Sequence, residues 1–185
     1  MGAFQLTNTA LLIIDMQEAM FCNPEDQPYQ GPEVLKNIGL LLKSAREHRI
    51  PVVYVQQTSG GKFREGSQSW KICSALAPQP QEAVVPKAMP NGFYRTVLDE
   101  TLKRSGIGGL VVAGMQSEFC VKATSKGALC LGYHVTLASD AHTTFSRPPF
   151  SADKLVEKTN LILSRKGAAL LPTGEILRRW SDEEK

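Results

Sequence analysis

Short apolar runs alternate along this chain with longer segments in which apolar residues recur at helical spacing. Between the first two runs, apolar residues from Val34 to Ala45 follow the i, i+3, i+4 spacing of an amphipathic helix, which we expect to begin near Pro32. The runs are rich in branched aliphatic residues and are short enough for buried strands. They occupy residues 9–15, 50–56, 83–87, 108–114, 133–140 and 168–172.

Three further segments have the pattern of helices. The first covers residues 96–106, where Thr96 and Asp99 are spaced as in a capping box and Gly106 is a natural helix stop. The other two are residues 117–132 and 151–167. This alternation predicts an α/β fold with three layers: a mostly parallel sheet of about six strands, with helices on both faces.

Composition narrows the class of protein. A length of 185 residues with 42% hydrophobic content suits a single domain over residues 1–185. The net charge of +3 is scattered, so we expect no binding to nucleic acid. The first apolar run is interrupted by Asp15 and is too short to cross a membrane. The four cysteines form no CxxC pair, which favours a cytoplasmic protein with reduced thiols.

Reactive side chains follow several of the predicted strands. Ligands of open parallel sheets bind outside the carboxyl ends of the strands. Asp15 follows the first strand, Lys87 ends the third, and Cys120 comes shortly after the fourth. A carboxylate, an ammonium and a thiol at one edge can carry out nucleophilic catalysis. Asp140 and His142 follow the fifth strand, where we expect a structural loop cap and a solvated loop histidine.

Four stretches in this order resemble the sequence motifs of a known family: "ALLIIDMQ", "VVPKAMPNGFYRTVLDETL", "LVVAGMQSEFCVKAT" and "GYHVTLASDAHTT". They are similar to the isochorismatase-like cysteine hydrolases, which include nicotinamidases, N-carbamoyl-amide hydrolases and streptothricin hydrolases. The resemblance spans roughly residues 9–145. It implies a Rossmann-like fold, a catalytic triad of Asp15, Lys87 and Cys120, and a cytoplasmic homo-oligomer, either a dimer or a tetramer.

The chemistry of the triad can also be argued from its residue types. A helix N-terminus and a neighbouring lysine both stabilise a thiolate, so we expect the pKa of Cys120 to lie below its usual value of about 8.5. Asp15 can accept the thiol proton and return it to a leaving amine. The resemblance further implies an oxyanion hole made by the backbone amides of Gln116 and Cys120, with a cis peptide bond between Met115 and Gln116.

Four residues are weaker candidates for contact with substrate, namely Gln17, Phe21, Trp70 and Phe93. Each has a plainer alternative, since a loop glutamine is often solvated and a loop aromatic often only packs. Many members of the family have an aromatic residue five positions after the aspartate, where this chain has Met20.

A metal site is not expected. The resemblance places the metal ligands of nicotinamidases, an Asp-x-His pair and a further histidine, after the second strand. Here that region reads "VQQTSGGKFREGSQSW" and contains neither histidine nor aspartate. The three histidines, at 48, 134 and 142, are widely separated, whereas a transition-metal site needs imidazoles at short spacing. We therefore predict no metal and no cofactor, which makes nicotinamide a less favoured substrate.

Three hypotheses about function stay open from the sequence. The leading one is a metal-independent cysteine hydrolase that cleaves a C–N bond of a small amide, lactam or carbamoyl compound through a thioester. The second is hydrolysis of an isochorismate-like vinyl ether, in which the aspartate is the essential acid. The third is a binding protein that retains the triad without turnover, although an unused buried charge pair would only cost stability.

Overall fold

A parallel sheet forms the centre of the computed structural model, which describes residues 8–182. Its strands are β1 (Thr9–Ile14), β2 (Val52–Gln57), β3 (Ala83–Lys87), β4 (Gly109–Met115), β5 (His134–Thr143) and β6 (Ala169–Leu171). Their order is β3-β2-β1-β4-β5-β6, and every adjacent pair is parallel. The sheet therefore extends from β1 through β2 to β3 on one side, and from β4 through β5 to β6 on the other.

Helices cover both faces of this sheet. They are α1 (Gly31–Glu47), α2 (Leu98–Arg104), α3 (Lys122–Cys130), α4 (Ala152–Arg165) and α5 (Thr173–Asp182). Short 3-10 turns lie at Glu18–Met20, Gly61–Phe63 and Ser74–Leu76, and one π turn lies at Ser117–Val121. Within residues 8–182, no helix is both long and apolar enough to cross a membrane.

The two faces carry separate apolar cores because side chains alternate along each strand. On one face, Leu11 and Ile13 of β1 pack with the buried sides of α1 and α5. On the other face, Leu12 and Ile14 pack with α2, α3 and α4. The central strand β1 is thus buried on both sides, as its continuous apolar run predicts.

The predicted fold class is confirmed, since the sheet is parallel, has six strands and is covered on both faces. The capping box is wrong. Helix α2 begins at Leu98 after Val97, and Thr96 Oγ1 accepts a hydrogen bond from the Leu98 N–H (3.3 Å), not from the Asp99 N–H that a capping box needs. The side chain of Asp99 instead accepts hydrogen bonds from Lys103 (2.7 Å) and from the Tyr133 hydroxyl (2.8 Å).

Helix α5 is an element that the sequence pattern did not lead us to predict. It buries Ile176 and Trp180 in the core that α1 also covers. Asp140, at the carboxyl-terminal part of β5, accepts hydrogen bonds from both the backbone N–H and the hydroxyl of Thr173, each at 2.7 Å. Asp140 therefore has a structural role, but it caps the distant helix α5 and not, as we expected, the loop after its own strand.

Candidate active site

The three predicted reactive residues meet at the carboxyl ends of the strands. Asp15 directly follows β1, Lys87 is the last residue of β3, and Cys120 lies in the π turn that follows β4. Strands β1 and β4 are neighbours in the sheet, and the strand order reverses between them. Such a reversal opens a crevice in open α/β sheets.

Lys87 lies at the centre of the arrangement. Its ammonium Nζ is 2.8 Å from Asp15 Oδ2 and 3.3 Å from Cys120 Sγ, and it donates a hydrogen bond to Gln57 Oε1 at 2.6 Å. The contact with Asp15 is a close ion pair with poor hydrogen-bond alignment, because neither carboxylate oxygen has a well-oriented donor within residues 8–182. Asp15 and Lys87 are 1% and 3% exposed, so solvent screens their interaction very little.

The backbone at Asp15 is strained. Its φ of 51° lies in the left-handed region, which costs a residue other than glycine about 1–3 kcal/mol. The hydrogen bond from its backbone N–H to the Val55 carbonyl, at 2.8 Å, holds it against β2. This conformation ends the strand and places the carboxylate beside Lys87.

The environment of the thiol corrects the expectation of a lowered pKa. Burial, and secondly the charge of Asp15, raise the pKa of Cys120 to about 12, and Lys87 offsets only part of this rise. Burial also raises the pKa of Asp15, against the opposing charge of Lys87. Sequence reasoning considered the lysine and the helix N-terminus, but the desolvation of the thiol and the adjacent carboxylate outweigh them. The burial of the sulfur therefore favours the protonated form of Cys120.

The turn before Cys120 begins where β4 passes very close to β1. A Cβ atom at Gly114 would lie 2.1 Å from the Ile14 carbonyl oxygen, and the φ of Gly114 is 123°, so only glycine fits there. The next peptide bond, between Met115 and Gln116, is cis. The Gln116 carbonyl accepts hydrogen bonds from the backbone N–H groups of Phe119 (3.1 Å) and Val121 (3.2 Å).

A series of hydrogen-bonded polar side chains contacts this turn on its buried side. Ser117 Oγ lies 2.8 Å from His142 Nδ1, and His142 Nε2 lies 2.8 Å from Asn160 Oδ1. Since Asn160 Oδ1 can only accept, Nε2 carries the proton and Nδ1 accepts from the Ser117 hydroxyl. Burial lowers the pKa of His142, in keeping with a neutral ring. The expectation of a solvated His142 is wrong, because α4 covers it and leaves it 2% exposed.

Arg147 holds the same turn from the solvent side. Its guanidinium donates hydrogen bonds to Gln116 Oε1 (2.8 Å) and to Glu118 Oε1 (3.2 Å). It also lies 4.9 Å from the centre of the Phe119 ring. The segment that contains His142 and Arg147 therefore contacts each of residues 116–119, the residues that join β4 to Cys120.

A cleft of about 310 Å³ opens over the thiol. Its walls contain both reactive and apolar residues, namely Asp15, Met20, Gln57, Ser59, Lys62, Phe63, Pro90, Gln116, Phe119 and Cys120. A larger hollow of about 520 Å³ lies at the opposite, amino-terminal ends of the strands, and no carboxylate or thiol lines it. The smaller cleft is therefore the candidate active site.

Two of the four weaker candidates serve structural roles at the base of this region. Gln17 is fully buried; its Nε2 donates to the carbonyls of Gln57 (3.0 Å) and Trp70 (2.7 Å), and its Oε1 accepts from the Gln57 N–H (3.0 Å). Trp70 Nε1 donates to Thr58 Oγ1 at 3.0 Å. Both residues fasten the loop after β2 to the strand ends, and neither is among the residues that line the cleft.

The other two candidates pack away from the cleft. Phe21 packs against the core beneath α1, and Phe93 stacks on Tyr133 with ring centres 5.7 Å apart. The aromatic walls of the cleft are instead Phe63 and Phe119. Phe119 immediately precedes the cysteine in sequence, and this proximity was a signal that could have identified it. Phe63 lies in a loop whose path the sequence does not reveal.

Within residues 8–182, no three side chains of histidine, cysteine, aspartate or glutamate are arranged to hold a metal ion. His142 is bonded within the buried series of hydrogen bonds described above, and His48 Nδ1 lies 2.8 Å from the Ser44 carbonyl oxygen.

Comparison with known proteins agrees with this geometry. The isochorismatase domain family matches residues 9–160. Streptothricin hydrolase of Streptomyces noursei is 36% identical over 141 residues, which are 75% of this chain and 51% of that protein, so the chain spans about half of its length. Ureidoacrylate amidohydrolase RutB of Variovorax paradoxus (strain S110) is 37% identical over 176 residues, covering 75% of this chain and 70% of that protein.

The fold is also similar to that of a solved structure. The crystal structure of an isochorismatase from Pseudomonas putida KT2440 superimposes with a TM-score of 0.87 at 28% identity, covering 95% of this chain and 93% of that one. The chain belongs to the isochorismatase family of hydrolases, as its motifs led us to expect. Its relatives in that family include a streptothricin hydrolase and an amidohydrolase.

Proposed function

We propose that this protein is a metal-independent cysteine hydrolase that cleaves a C–N bond of a small amide, lactam or carbamoyl compound through a thioester on Cys120. The observation that supports this most is the contact of one ammonium, Lys87 Nζ, with both the Asp15 carboxylate and the Cys120 sulfur, at 2.8 and 3.3 Å. This is the set of groups that nucleophilic catalysis by a thiol needs, and two of its members, Asp15 and Cys120, line a cleft of about 310 Å³.

The first step is proton transfer coupled to attack. Because the pKa of Cys120 is raised to about 12, the thiol keeps its proton until a carbonyl carbon is in place. Asp15 then takes this proton while the sulfur forms a bond to the carbonyl carbon. Lys87, 3.3 Å from the sulfur, stabilises the negative charge that develops there.

The second step moves charge onto the substrate oxygen. In this proposal the backbone N–H groups of Gln116 and Cys120 receive the oxyanion. The tetrahedral intermediate collapses when its C–N bond breaks, and protonated Asp15 gives its proton to the departing nitrogen. The products of this half-reaction are an amine or ammonia and a thioester on Cys120.

Water completes the cycle. Asp15, again ionised, takes a proton from a water molecule while the water oxygen attacks the thioester carbon. The C–S bond breaks, the sulfur recovers a proton from Asp15, and a carboxylic or carbamic acid leaves. One carboxyl group, that of Asp15, thus acts as base and then as acid in each half-reaction. Its position next to Lys87 and in the lining of the cleft suits both roles.

The proposal is tested with a panel of primary amides, lactams and carbamoyl compounds, scored by release of ammonia or amine. We expect at least one compound to be hydrolysed, and intact-mass spectrometry of an acid-quenched reaction to find the acyl group on Cys120. The Cys120→Ala variant should lose about a thousand-fold or more in kcat, because a covalent step has no substitute nucleophile.

Cys130→Ala is the matched control, since Cys130 is an exposed thiol at the far end of α3 and should be dispensable. A Cys120→Ala protein that hydrolyses the same substrate at the wild-type rate would overturn the thioester mechanism. The alternative in which Asp15 acts as an acid on a vinyl ether is favoured instead if the wild type hydrolyses no compound of the panel.

A further inference from the structure

The segment between β3 and α2 contains a dipeptide that can modify itself. It is Asn91–Gly92, whereas each of the four other asparagines of the chain precedes a larger residue. A backbone nitrogen can attack the side-chain carbonyl of the asparagine before it, and glycine hinders this attack least because it has no side chain. Spontaneous deamidation is therefore expected at Asn91 before any other asparagine.

This reaction needs no reactant other than water. The Gly92 nitrogen loses its proton and forms a bond to Asn91 Cγ, the Cγ–Nδ2 bond breaks, and the side-chain nitrogen leaves with that proton as ammonia. Water then opens the resulting succinimide ring at either of its carbonyl groups. The product is aspartate or isoaspartate, and in isoaspartate the main chain passes through Cβ and Cγ and is longer.

Hydrogen bonds in the structure hold both groups that must react. The Gly92 N–H donates to Thr124 Oγ1 at 2.9 Å, and Thr124 is fully buried in α3. The Thr124 hydroxyl donates in turn to the Pro90 carbonyl at 3.2 Å. Asn91 Oδ1 accepts a hydrogen bond from the Phe93 N–H at 3.0 Å. Because the Gly92 nitrogen gives up its proton to attack, ring closure requires that its contact with Thr124 is broken.

The modified residue would lie against both α3 and the candidate cleft. A Cβ atom at Gly127 would lie 2.6 Å from Asn91 Oδ1, so the Asn91 side chain packs directly on the backbone of α3. Pro90, the residue before Asn91, lines the cleft. A longer main chain at Asn91 does not fit between these two contacts, so isoaspartate would displace Pro90 and change the wall of the cleft.

We propose that Asn91 is a site of spontaneous deamidation and that the hydroxyl of Thr124 controls its rate. The modification replaces a neutral amide beside the cleft with a carboxylate and limits the time for which the cleft keeps its shape. This inference goes beyond the proposed function, since the modification occurs whether or not the protein is a hydrolase.

The test follows the conversion of amide to acid at every asparagine, by peptide mass spectrometry, while the protein is incubated in warm and mildly alkaline buffer. In the folded wild type, Asn91 should convert before the four other asparagines. Thr124→Val removes the hydroxyl from a side chain of the same shape, and Asn91 should then convert about five-fold faster, the effect of one lost hydrogen bond. In the wild-type chain unfolded in urea, Asn91 should convert faster than in either folded protein.

Two variants serve as controls. Thr124→Ser keeps the hydroxyl, so Asn91 should convert at the wild-type rate. Leu102→Ala controls for lost stability, because it empties the core on the same face of the sheet and leaves the contact between Gly92 and Thr124 in place. Faster conversion in Leu102→Ala than in Thr124→Val would mean that global unfolding sets the rate, and equal rates in the wild type and Thr124→Val would overturn the role of Thr124. If another asparagine converts first in both folded proteins, the assignment of the site is wrong.

Turnover provides a second readout, which rests on the proposed function. If a substrate is found, its turnover by the wild type should fall in proportion to the isoaspartate at Asn91. Asn91→Ser cannot deamidate and should keep its initial turnover through the same incubation. An equal decline in both proteins would show that the modification does not alter the cleft. If no compound is hydrolysed, the mass measurements still decide the deamidation, so the two proposals fail independently.

Discussion

At the scale of single residues, the decisive feature of the proposed mechanism is that Asp15 would both activate and restrain Cys120. The burial of the sulfur, and secondly the negative charge of Asp15, raise the pKa of the thiol to about 12. A carboxylate that disfavours the thiolate at rest is well suited to accept its proton once a carbonyl is present to receive the sulfur. Selectivity follows, since a protonated thiol reacts slowly with adventitious electrophiles.

Replacing Asp15 with asparagine should therefore change two properties in opposite directions. Removal of the charge lowers the pKa of Cys120 and leaves Lys87 beside the sulfur, so a brief iodoacetamide pulse at neutral pH should label Cys120 faster than in the wild type. Amide hydrolysis should fall by about a hundred-fold or more, because the general base is lost. Peptide mass spectrometry of each cysteine measures the labelling.

Cys22 and Cys130 are exposed and provide internal references whose labelling should be the same in both proteins. In the wild type, labelling of Cys120 should increase as the pH rises towards about 12. Slower labelling of Cys120 in Asp15→Asn would show that the carboxylate stabilises the thiolate, contrary to the electrostatics described above.

At the scale of elements, the connection between β4 and α3 depends on the connection between β5 and α4. His142 contacts the turn from inside and Arg147 from outside, so both contacts come from one segment. Ser117 is fully buried and its hydroxyl is the donor that satisfies His142 Nδ1. Because this turn carries Gln116 and Cys120, its placement determines where the proposed nucleophile and oxyanion hole lie.

Ser117→Ala should lower both stability and turnover. It leaves His142 Nδ1 buried without a donor, which costs about 1–3 kcal/mol in the free energy of unfolding, measured by urea denaturation. It also frees the turn, so kcat should fall while KM changes little, since the cleft walls Phe63 and Pro90 are not part of this contact. The kinetics are to be measured well below the unfolding midpoint.

Ser125→Ala is the matched control in α3. Ser125 is equally buried, and its hydroxyl has no hydrogen-bond partner within the described part of the chain, so its removal should cost nothing in stability or kcat. If Ser117→Ala is destabilised but keeps the wild-type kcat, the buried series of hydrogen bonds supports the fold alone and does not position the nucleophile.

Local patterns predicted most of the elements, and the misses have physical causes. Asp15, Lys87 and Cys120 were predictable because each adjoins a strand whose apolar run can be read locally. The burial of His142 was not, because it depends on α4 and on Asn160, which is 18 residues further along the chain. Helix α5 left a readable signal, the i, i+4 pair of Ile176 and Trp180, in a segment otherwise rich in charge.

The residues that form the cleft walls could not be predicted from local sequence patterns either. Phe63 and Lys62 reach the site through the loop after β2, and the course of such a loop is set by tertiary contacts such as those of Gln17 with Gln57 and Trp70. Sequence reasoning identified Gln17 from its place in the motif "ALLIIDMQ" and Trp70 as an aromatic residue of this loop. It could not distinguish the residues that fasten the loop from those that face the substrate.

At the scale of the whole molecule, the two apolar cores are joined by the strands between them. Alternate residues of β1 belong to opposite cores, as do Val111 and Val112 of β4. Disruption of either core therefore removes half of the packing that holds the central strands. This coupling predicts that residues 8–182 unfold as one cooperative unit, in line with the single domain expected from the sequence.

The last prediction tests this coupling with one truncation on each face. Trp180→Ala empties the core under α5 and should cost about 3–5 kcal/mol, and Leu102→Ala empties the core under α2 and should cost about 2–5 kcal/mol. Trp70 fluorescence reports on the loop near the site in both variants, and in Leu102→Ala the fluorescence of Trp180 also reports on the core under α5. Far-ultraviolet circular dichroism and this fluorescence should give coincident urea midpoints in each variant, shifted downward together. A second transition in either variant, confined to one probe, would mean that the two faces unfold separately and that the candidate site depends on only one of them.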